Sequence, residues 1–470
     1  MSTSHDQTNP QLRREMGLWD VLLFNIAAVL GPRWIAAAAH NGPSSLSLWA
    51  LAAVFFFVPT SFIVVELSTR YPDEGGLYIW TKEAFGDFHG FVAGWAYWVY
   101  TLFYFPGLLM ASAAMAAYVG GERFAYLANN RQFLVTGSLL LLAVAVGMNI
   151  VGLNIGKWLQ NAGGIGTYVP LVLLVAVGMI FYGRHGTHTV ITLHSALPRW
   201  NLDTVNFWSQ IAFAFTGLEM VCTMAEEVKN PHKTFPRAVL GSAILIATIY
   251  MLGTIAILVM LPAANVDPKS GVFQAITSGS VLMGIGFVGI VAALLVTAGN
   301  AGGVGATVAA AARVPFAVGI DRYLPEFFGK IHPRWRTPHV SMLIQAVISA
   351  AVLLISQINE TTAGAYQLVI DAAIILYFLP FLYMYAAVIK LAYKADRREN
   401  PKAVLIPGGK FGVWVMGTLG FAVTALSIVL SMVPPGDVVS KGIFELKLVG
   451  TTTLAILIGF VLHWWAGRNS

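Results

Sequence analysis

From Gly17 onward the chain alternates between long apolar runs and short polar connections. Twelve runs stand out: about 18–39, 46–69, 90–118, 133–151, 159–182 and 207–228, then about 237–262, 280–312, 339–357, 363–391, 412–433 and 447–466. Each is long enough to cross about 30 Å of hydrocarbon as a helix, which takes roughly 20 residues at 1.5 Å per residue. None alternates strictly between apolar and polar positions, and all exceed the roughly 11 residues of a barrel strand, which excludes transmembrane β-structure. The pattern predicts an all-α membrane protein with twelve transmembrane helices. Ahead of them, Met1 to Met16 reads as a polar tail, without the apolar core and cleavage site of a secretory signal.

Two runs are interrupted in the middle. The first carries Leu30-Gly31-Pro32-Arg33-Trp34; Pro32 removes a backbone donor and Gly31 relaxes the dihedral restriction, so a helix break is expected there. The sixth carries Phe213-Ala214-Phe215-Thr216-Gly217-Leu218-Glu219, with Gly217 as the corresponding weak point. A lone glycine in a membrane helix is more often a packing residue, and the break in the first run is what gives this one meaning. Interruptions in runs one and six are expected when runs one to five and six to ten form two repeats. The predicted organisation is a tail over 1–16, a first repeat over 17–182, a second over 206–391, and two peripheral helices over 412–466. A break in a membrane helix frees NH groups at the positive end of one half-helix and carbonyls at the end of the other. The first suits a carboxylate and the second an ammonium, and an amino acid has both.

Composition removes other classes. Of the 470 residues, 57% are hydrophobic and only 11% charged, against about 25% charged in soluble domains, so a soluble enzyme is excluded. The single cysteine, Cys222, lies beside Val221 and close to Met224; it excludes a disulfide framework and points to packing rather than redox chemistry. The net charge of +6 is spread between apolar runs rather than gathered on one face, which argues against nucleic acid. With the N-terminus inside, most of the 28 Lys and Arg fall in inward connections and tails, so both termini are predicted to be cytoplasmic. Trp19, Trp49, Trp80, Trp200, Trp335, Trp464 and Trp465 fall near run ends, as interfacial anchors do. No run offers the continuous polar lining of a channel. His185, His188 and His194 share a connection without the spacing of a helical metal site, so no metal, cofactor or catalytic chemistry is expected. The expected partners are a small-molecule substrate, protons and the bilayer, with no obligate protein partner indicated.

Three segments carry a resemblance. Glu66-Leu67-Ser68-Thr69-Arg70-Tyr71-Pro72-Asp73-Glu74-Gly75-Gly76-Leu77-Tyr78 leads through Lys82-Glu83-Ala84-Phe85-Gly86 to Ala93-Gly94-Trp95. Phe215-Thr216-Gly217-Leu218-Glu219 is followed by Ala225-Glu226-Glu227-Val228-Lys229-Asn230-Pro231 and Lys233-Thr234-Phe235-Pro236-Arg237-Ala238. The third runs from Ala312-Arg313 through Asp321-Arg322-Tyr323-Leu324-Pro325-Glu326-Phe327-Phe328 to His332-Pro333-Arg334-Trp335-Arg336-Thr337-Pro338. In this order they resemble the amino acid-polyamine-organocation (APC) family of permeases over nearly all of spans one to ten. The resemblance implies a LeuT-type fold of two inverted five-helix repeats in a bacterial inner (plasma) membrane, working by alternating access. It also implies transport of amino acids or related amines by proton-coupled symport or by exchange. The family's small glycine-rich motif falls on Gly31, Pro32 and Arg33, and the chain departs from it where Pro32 and Arg33 replace small residues.

Arg33 is the most informative residue, because an arginine near the bilayer centre costs at least about 2.5–3.5 kcal/mol. Three roles are open to it. It clamps a substrate carboxylate; it stands as a fixed cation where relatives use sodium or a lysine, since 163–182 contains none; or it is pinned by Glu219 or Asp371. Glu219 and Asp371 are the carboxylates placed well inside runs, where burial lets either carry a coupling proton. Glu219 equally suits a hydrogen bond tying the broken helix together, and Asp371, near the start of run ten, suits a solvated cap. Glu66, one turn from Arg70, reads as a structural or gating ion pair. Phe213, Phe215, Thr216 and Gly217 at the sixth-run break, and Trp34 beside Arg33, are candidate substrate contacts. The resemblance places an aromatic gate at Phe213. Tyr104, Tyr377, Asn300 and Thr307 are further candidates for the lining. A polyamine or amine exchanger and a non-transporting sensor are the alternatives on this scaffold; a cationic substrate would prefer carboxylates at the break, and Arg33 argues against it.

Overall fold

The computed structural model describes residues 16–71, 76–151, 153–198, 202–300, 304, 324–335, 337–394, 403–436 and 438–469. Helices follow one another through them with short connections. α1 (Leu18–Val29) and α2 (Pro32–His40) are bent 42° apart across two extended residues. α3 (Ser44–Arg70) widens into a π-turn over Ala53–Phe57 just before Pro59, whose ring and missing N–H do not fit a regular ladder. Then come α4 (Leu77–Phe85), α5 (Asp87–Ala116), α6 (Arg131–Val151) and α7 (Leu153–His185). α8 (Leu202–Ala214) gives way to a 3-10 segment, Leu218–Glu227. The remaining helices are α9 (Pro231–Met260), α10 (Gly271–Leu282), α11 (Phe287–Asn300), α12 (His339–Ser356), α13 (Thr362–Leu391), α14 (Gly409–Ser431) and α15 (Lys441–Asn469).

Among the described residues nine helices are long and apolar enough to cross a membrane, and ten with α1 and α2 taken as one bent span. The twelve predicted spans differ from this at two places. The sixth run is divided at 215–217, and neither half passes as a span alone. The eighth run begins at Phe287 rather than 280, because Gly284 turns the chain with φ +76° between α10 and α11. Helix α10 itself lies where a connection was expected. Its 12 residues reach only about 18 Å, too short to span, and its Val272, Phe273, Ala275 and Ile276 are buried against protein. Helix α7 begins at Leu153, ahead of its apolar run, which brings Lys157 onto the same helix. Thr307 and Asp321-Arg322-Tyr323 lie outside the described residues.

The helices α5 and α13 are the most enclosed of the long spans, and α15 is the most exposed. Exposed aliphatic and aromatic side chains such as Leu140, Val172, Ile244, Phe287 and Leu446 cover the outer faces, where hydrocarbon rather than water is the matching solvent. Helix α9 runs beside both α1 and α2 and so backs the whole broken span. The 3-10 segment lies against α1, and α8 lies against α2, which sets the two interrupted elements side by side. The Lys229 amide donates to the Met16 carbonyl at 2.8 Å, tying the start of one interrupted element to the end of the other.

At the crossing of α7 and α11 the backbones touch: a β-carbon on Gly166 would lie 2.3 Å from the Leu295 carbonyl oxygen and 2.7 Å from the Gly299 α-carbon. Backbone cannot yield as a flexible side chain does. Gly166→Val is therefore expected to destabilise the fold by about 1–3 kcal/mol, seen as a lower midpoint in thermal unfolding of the purified protein. An unchanged midpoint would contradict the close crossing.

Candidate functional site

The two interruptions meet. After Val29 the chain runs extended through Leu30 and Gly31, and α2 restarts with Pro32 in its first turn, where a missing N–H costs nothing. In the sixth element the Phe215 and Thr216 amides close tight turns onto the Ala212 and Phe213 carbonyls, and Gly217 then takes φ +116°. Only glycine adopts that conformation readily. A β-carbon there would also stand 3.2 Å from the Ala28 carbonyl oxygen, so α1 and Gly217 are in contact.

A tyrosine from α9 holds the junction. The Gly31 amide donates to the Tyr250 hydroxyl at 3.2 Å, and that hydroxyl lies 2.6 Å from the Val29 carbonyl and 3.0 Å from the Ala214 carbonyl. One hydroxyl carries one proton, so the two carbonyls share it, with Val29 the nearer. The ring is fixed by stacking on Trp49 at 4.4 Å, and the Trp49 indole in turn donates to Thr254 Oγ1 at 3.1 Å. Tyr250 is not among the residues that the motifs and helix interruptions single out. Its signal was available: a tyrosine in the middle of an apolar span needs a partner for its hydroxyl.

The consequence falls on the backbone amides at the breaks. Leu30 N donates to Ile26 O, Gly31 N to Tyr250, Trp34 N to Gly31 O, and Gly217 N to Glu219 Oε2 at 3.0 Å. Phe215 and Thr216 are spent on their own turns, and Pro32 has no N–H. These six amides therefore have acceptors inside the protein.

Arg33 presents the opposite case. It is 3% exposed, and its two terminal guanidinium nitrogens are buried without a hydrogen-bond partner among the described residues. Its guanidinium carbon sits 4.4 Å from the Trp34 ring centre and 4.7 Å from that of Tyr104, and the Tyr366 hydroxyl lies close enough to act on the guanidinium both electrostatically and as a hydrogen-bond contact. Phe213 closes the cage, edge-on to Trp34 at 5.6 Å and to Tyr104 at 6.2 Å. Two cation–π contacts, each worth about 2 kcal/mol when desolvated, offset the charge's burial but accept none of its N–H bonds. Among the described residues neither Glu219 nor Asp371 pairs with Arg33, which removes the pinned-arginine reading.

Below the cage lies an aromatic layer. Phe213 meets Tyr377 at 5.4 Å, and Tyr377 packs on Tyr100 at 4.2 Å and Tyr97 at 5.5 Å. The Tyr377 hydroxyl donates to Glu219 Oε1, while Glu219 Oε2 holds the Gly217 amide. Both carboxylate oxygens are thus engaged, and Glu219 clamps the turn of the sixth element.

The other candidates lie apart. Phe215 turns away from Arg33, into Trp49, Phe57 and Tyr250. Thr216 Oγ1 donates to the Phe213 carbonyl at 2.7 Å. Asn300 donates to Met115 Sδ on α5 at 3.5 Å. Asp371 is fully buried within α13, so it is not a solvated cap; Thr361 caps that helix by accepting from the Gly364 amide. Glu66 pairs with Arg70 at 3.2 Å and accepts from the Ile406 amide at 2.8 Å, which docks the segment before α14 onto the end of α3.

Comparison with known proteins adds the family. A family profile described as amino acid permease matches residues 16–460. An uncharacterized transporter of Legionella pneumophila is 27% identical over 95% of this chain and 96% of its own length. The serine/threonine exchanger of Bacillus subtilis is 25% identical over 79% of this chain and 83% of its own. A Lactococcus lactis protein named "probable agmatine/putrescine antiporter" is 25% identical over 90% of this chain and 89% of its own.

Replacing Tyr250 by Phe leaves the Gly31 amide and two carbonyls without their shared partner. The expected cost is about 1–3 kcal/mol, read as a lower urea midpoint for the detergent-solubilised variant; wild-type stability would show that the hydroxyl does not hold the breaks.

Proposed function

The chain belongs to the amino acid permease family, and we propose that it carries amino acids across a bacterial inner membrane by alternating access, with the substrate held at the two helix breaks. The observation that carries this reading is the buried Arg33 guanidinium, whose terminal nitrogens have no hydrogen-bond partner among the described residues while the Gly31 and Gly217 amides at the breaks are already bonded. A carboxylate accepts two parallel N–H bonds from such a fork. The carbonyl ends of α1 and α8, across the same junction, suit the ammonium. Trp34, Tyr104 and Phe213 enclose the pair, with Phe213 as the gate between the cage and the Tyr377 layer.

The scaffold we infer is the LeuT-type arrangement of two inverted five-helix repeats, 17–182 and 206–391, with 412–466 peripheral. The divided sixth element and the eighth, starting at α11, complete twelve passages with both termini cytoplasmic. Transport runs as proton-coupled symport or as exchange. Glu219 suits a gating role, because it joins Tyr377 of the aromatic layer to the Gly217 amide of the break. An amine substrate is the weaker reading, despite the relative named for agmatine and putrescine. The groups that interact with Arg33 among the described residues, Trp34, Tyr104, Tyr366, Tyr100 and Tyr250, are aromatic and include no carboxylate.

Arg33→Ala is expected to weaken binding of the transported amino acid at least about 30-fold, as removing one member of a buried charge pair costs about 2–5 kcal/mol. Equilibrium binding of a labelled amino acid panel to purified, monodisperse wild type and variant tests this. Unchanged affinity would sink the assignment.

A further inference from the structure

Helix α13 carries a second polar face. At 3.6 residues per turn, Gly364, Gln367 and Asp371 form one stripe, roughly a third of a turn round from Tyr366, Ile370 and Tyr377, which face the cage and α5. The stripe packs against α8 and the end of α14 rather than against Arg33.

The orientation of its amides follows from one backbone group. The Val433 carbonyl can only accept, so the Asn206 amide nitrogen faces it, at 2.8 Å. Asn206 Oδ1 then accepts from Gln367 Nε2 at 3.0 Å, and Gln367 Oε1 accepts from Gln210 Nε2 at 3.0 Å. What Asp371 receives is N–H: Gln367 Nε2 at 2.9 Å on Oδ1, and Asn206 Nδ2 at 3.5 Å on Oδ2. A metal cation needs converging oxygens, and here the amide oxygens are spent on one another. No charged side chain among the described residues acts on Asp371 from α8, α13 or α14. A buried carboxylate without a counter-charge costs several kcal/mol, more than two amide bonds return, and binding one proton removes that cost.

One end of the stripe meets another carboxyl group. Glu360, just before the Thr361 cap, folds over the first turn of α13, its Oε2 standing 2.7 Å from where a Gly364 β-carbon would lie. It is 3% exposed, and both carboxylate oxygens are buried without a partner among the described residues. The nearby cations bind backbone instead: Arg131 of α6 donates to the Glu360 carbonyl and Lys447 of α15 to the Ile358 carbonyl.

We propose that Asp371 is a proton-binding site distinct from the substrate cage, loaded from the Glu360 end of α13. The assignment deepens the transport reading and rests on it: the substrate's charge is met by Arg33 of α2, in the cage that Tyr366 of α13 borders, and the coupling proton on a different face of α13. Protonation turns the Asp371 carboxylate into a neutral carboxylic acid and needs no other reactant.

Two measurements test it. Infrared difference spectra between high and low pH should contain a carboxylic-acid C=O band, shifted in heavy water, that disappears in Asp371→Asn; this readout does not depend on transport. In vesicles, Asp371→Asn should lose gradient-driven accumulation at least about tenfold while counterflow into preloaded vesicles persists, and Glu360→Gln should slow accumulation without changing counterflow. Persistence of the band in Asp371→Asn, or wild-type accumulation by it, overturns the proposal. Loss of both accumulation and counterflow in a variant with wild-type thermal stability would make Asp371 structural and also overturn it. A wild-type protein that neither accumulates nor exchanges any amino acid contradicts the transport reading, whereas the infrared band decides the proton site on its own.

Discussion

One hydroxyl, on Tyr250, bonds the end of α1, the end of α8 and the amide between α1 and α2, and the chemistry left at the junction follows from it. Broken helices in a membrane are stable only when their freed backbone groups find partners. Here those partners are internal: Tyr250 for Gly31, Glu219 for Gly217, and tight turns for Phe215 and Thr216. The Gly31 and Gly217 amides, at the centre of the two breaks, are thereby already engaged. The unmet demand moves to Arg33, the group in the departure from the family's small-residue motif.

Arg33 and Glu219 sit on opposite sides of an aromatic layer and do not neutralise each other. The layer connects them through contacts: Trp34 and Tyr104 to Phe213, Phe213 to Tyr377, and Tyr377 by its hydroxyl to Glu219. Glu219 in turn holds the Gly217 amide, so movement of the aromatic layer and the geometry of the sixth-element break are mechanically joined. Asp371 lies on another face of α13, among amides.

Much of this was legible in the sequence, and the reasons for the rest are physical. Length and hydropathy mark long spans, and Pro32 beside Gly31 marks a break through backbone chemistry alone. Hydropathy does not separate a spanning helix from a buried apolar one, so α10 was merged partly with a connection and partly with the eighth run. A tyrosine in mid-span signals that its hydroxyl needs a partner, but the three partners of Tyr250 are distant in the chain, so the sequence does not say which groups it joins. Sequence adjacency also misled at Phe215, which neighbours Phe213's gate position yet points into Trp49 and Tyr250. For Asp371, proximity to the start of a span points to solvent, whereas the residue is fully buried and accepts from Asn206 of α8 and Gln367 of its own helix.

The central claim is that Arg33 receives the substrate's carboxylate. It is tested most directly from the ligand side, by titrating the purified protein with a transported amino acid, its carboxamide and the corresponding decarboxylated amine. The account predicts that neutralising or removing the carboxylate weakens binding at least about 30-fold, the scale of a lost buried charge contact. An amine that binds as tightly as its parent amino acid would contradict it.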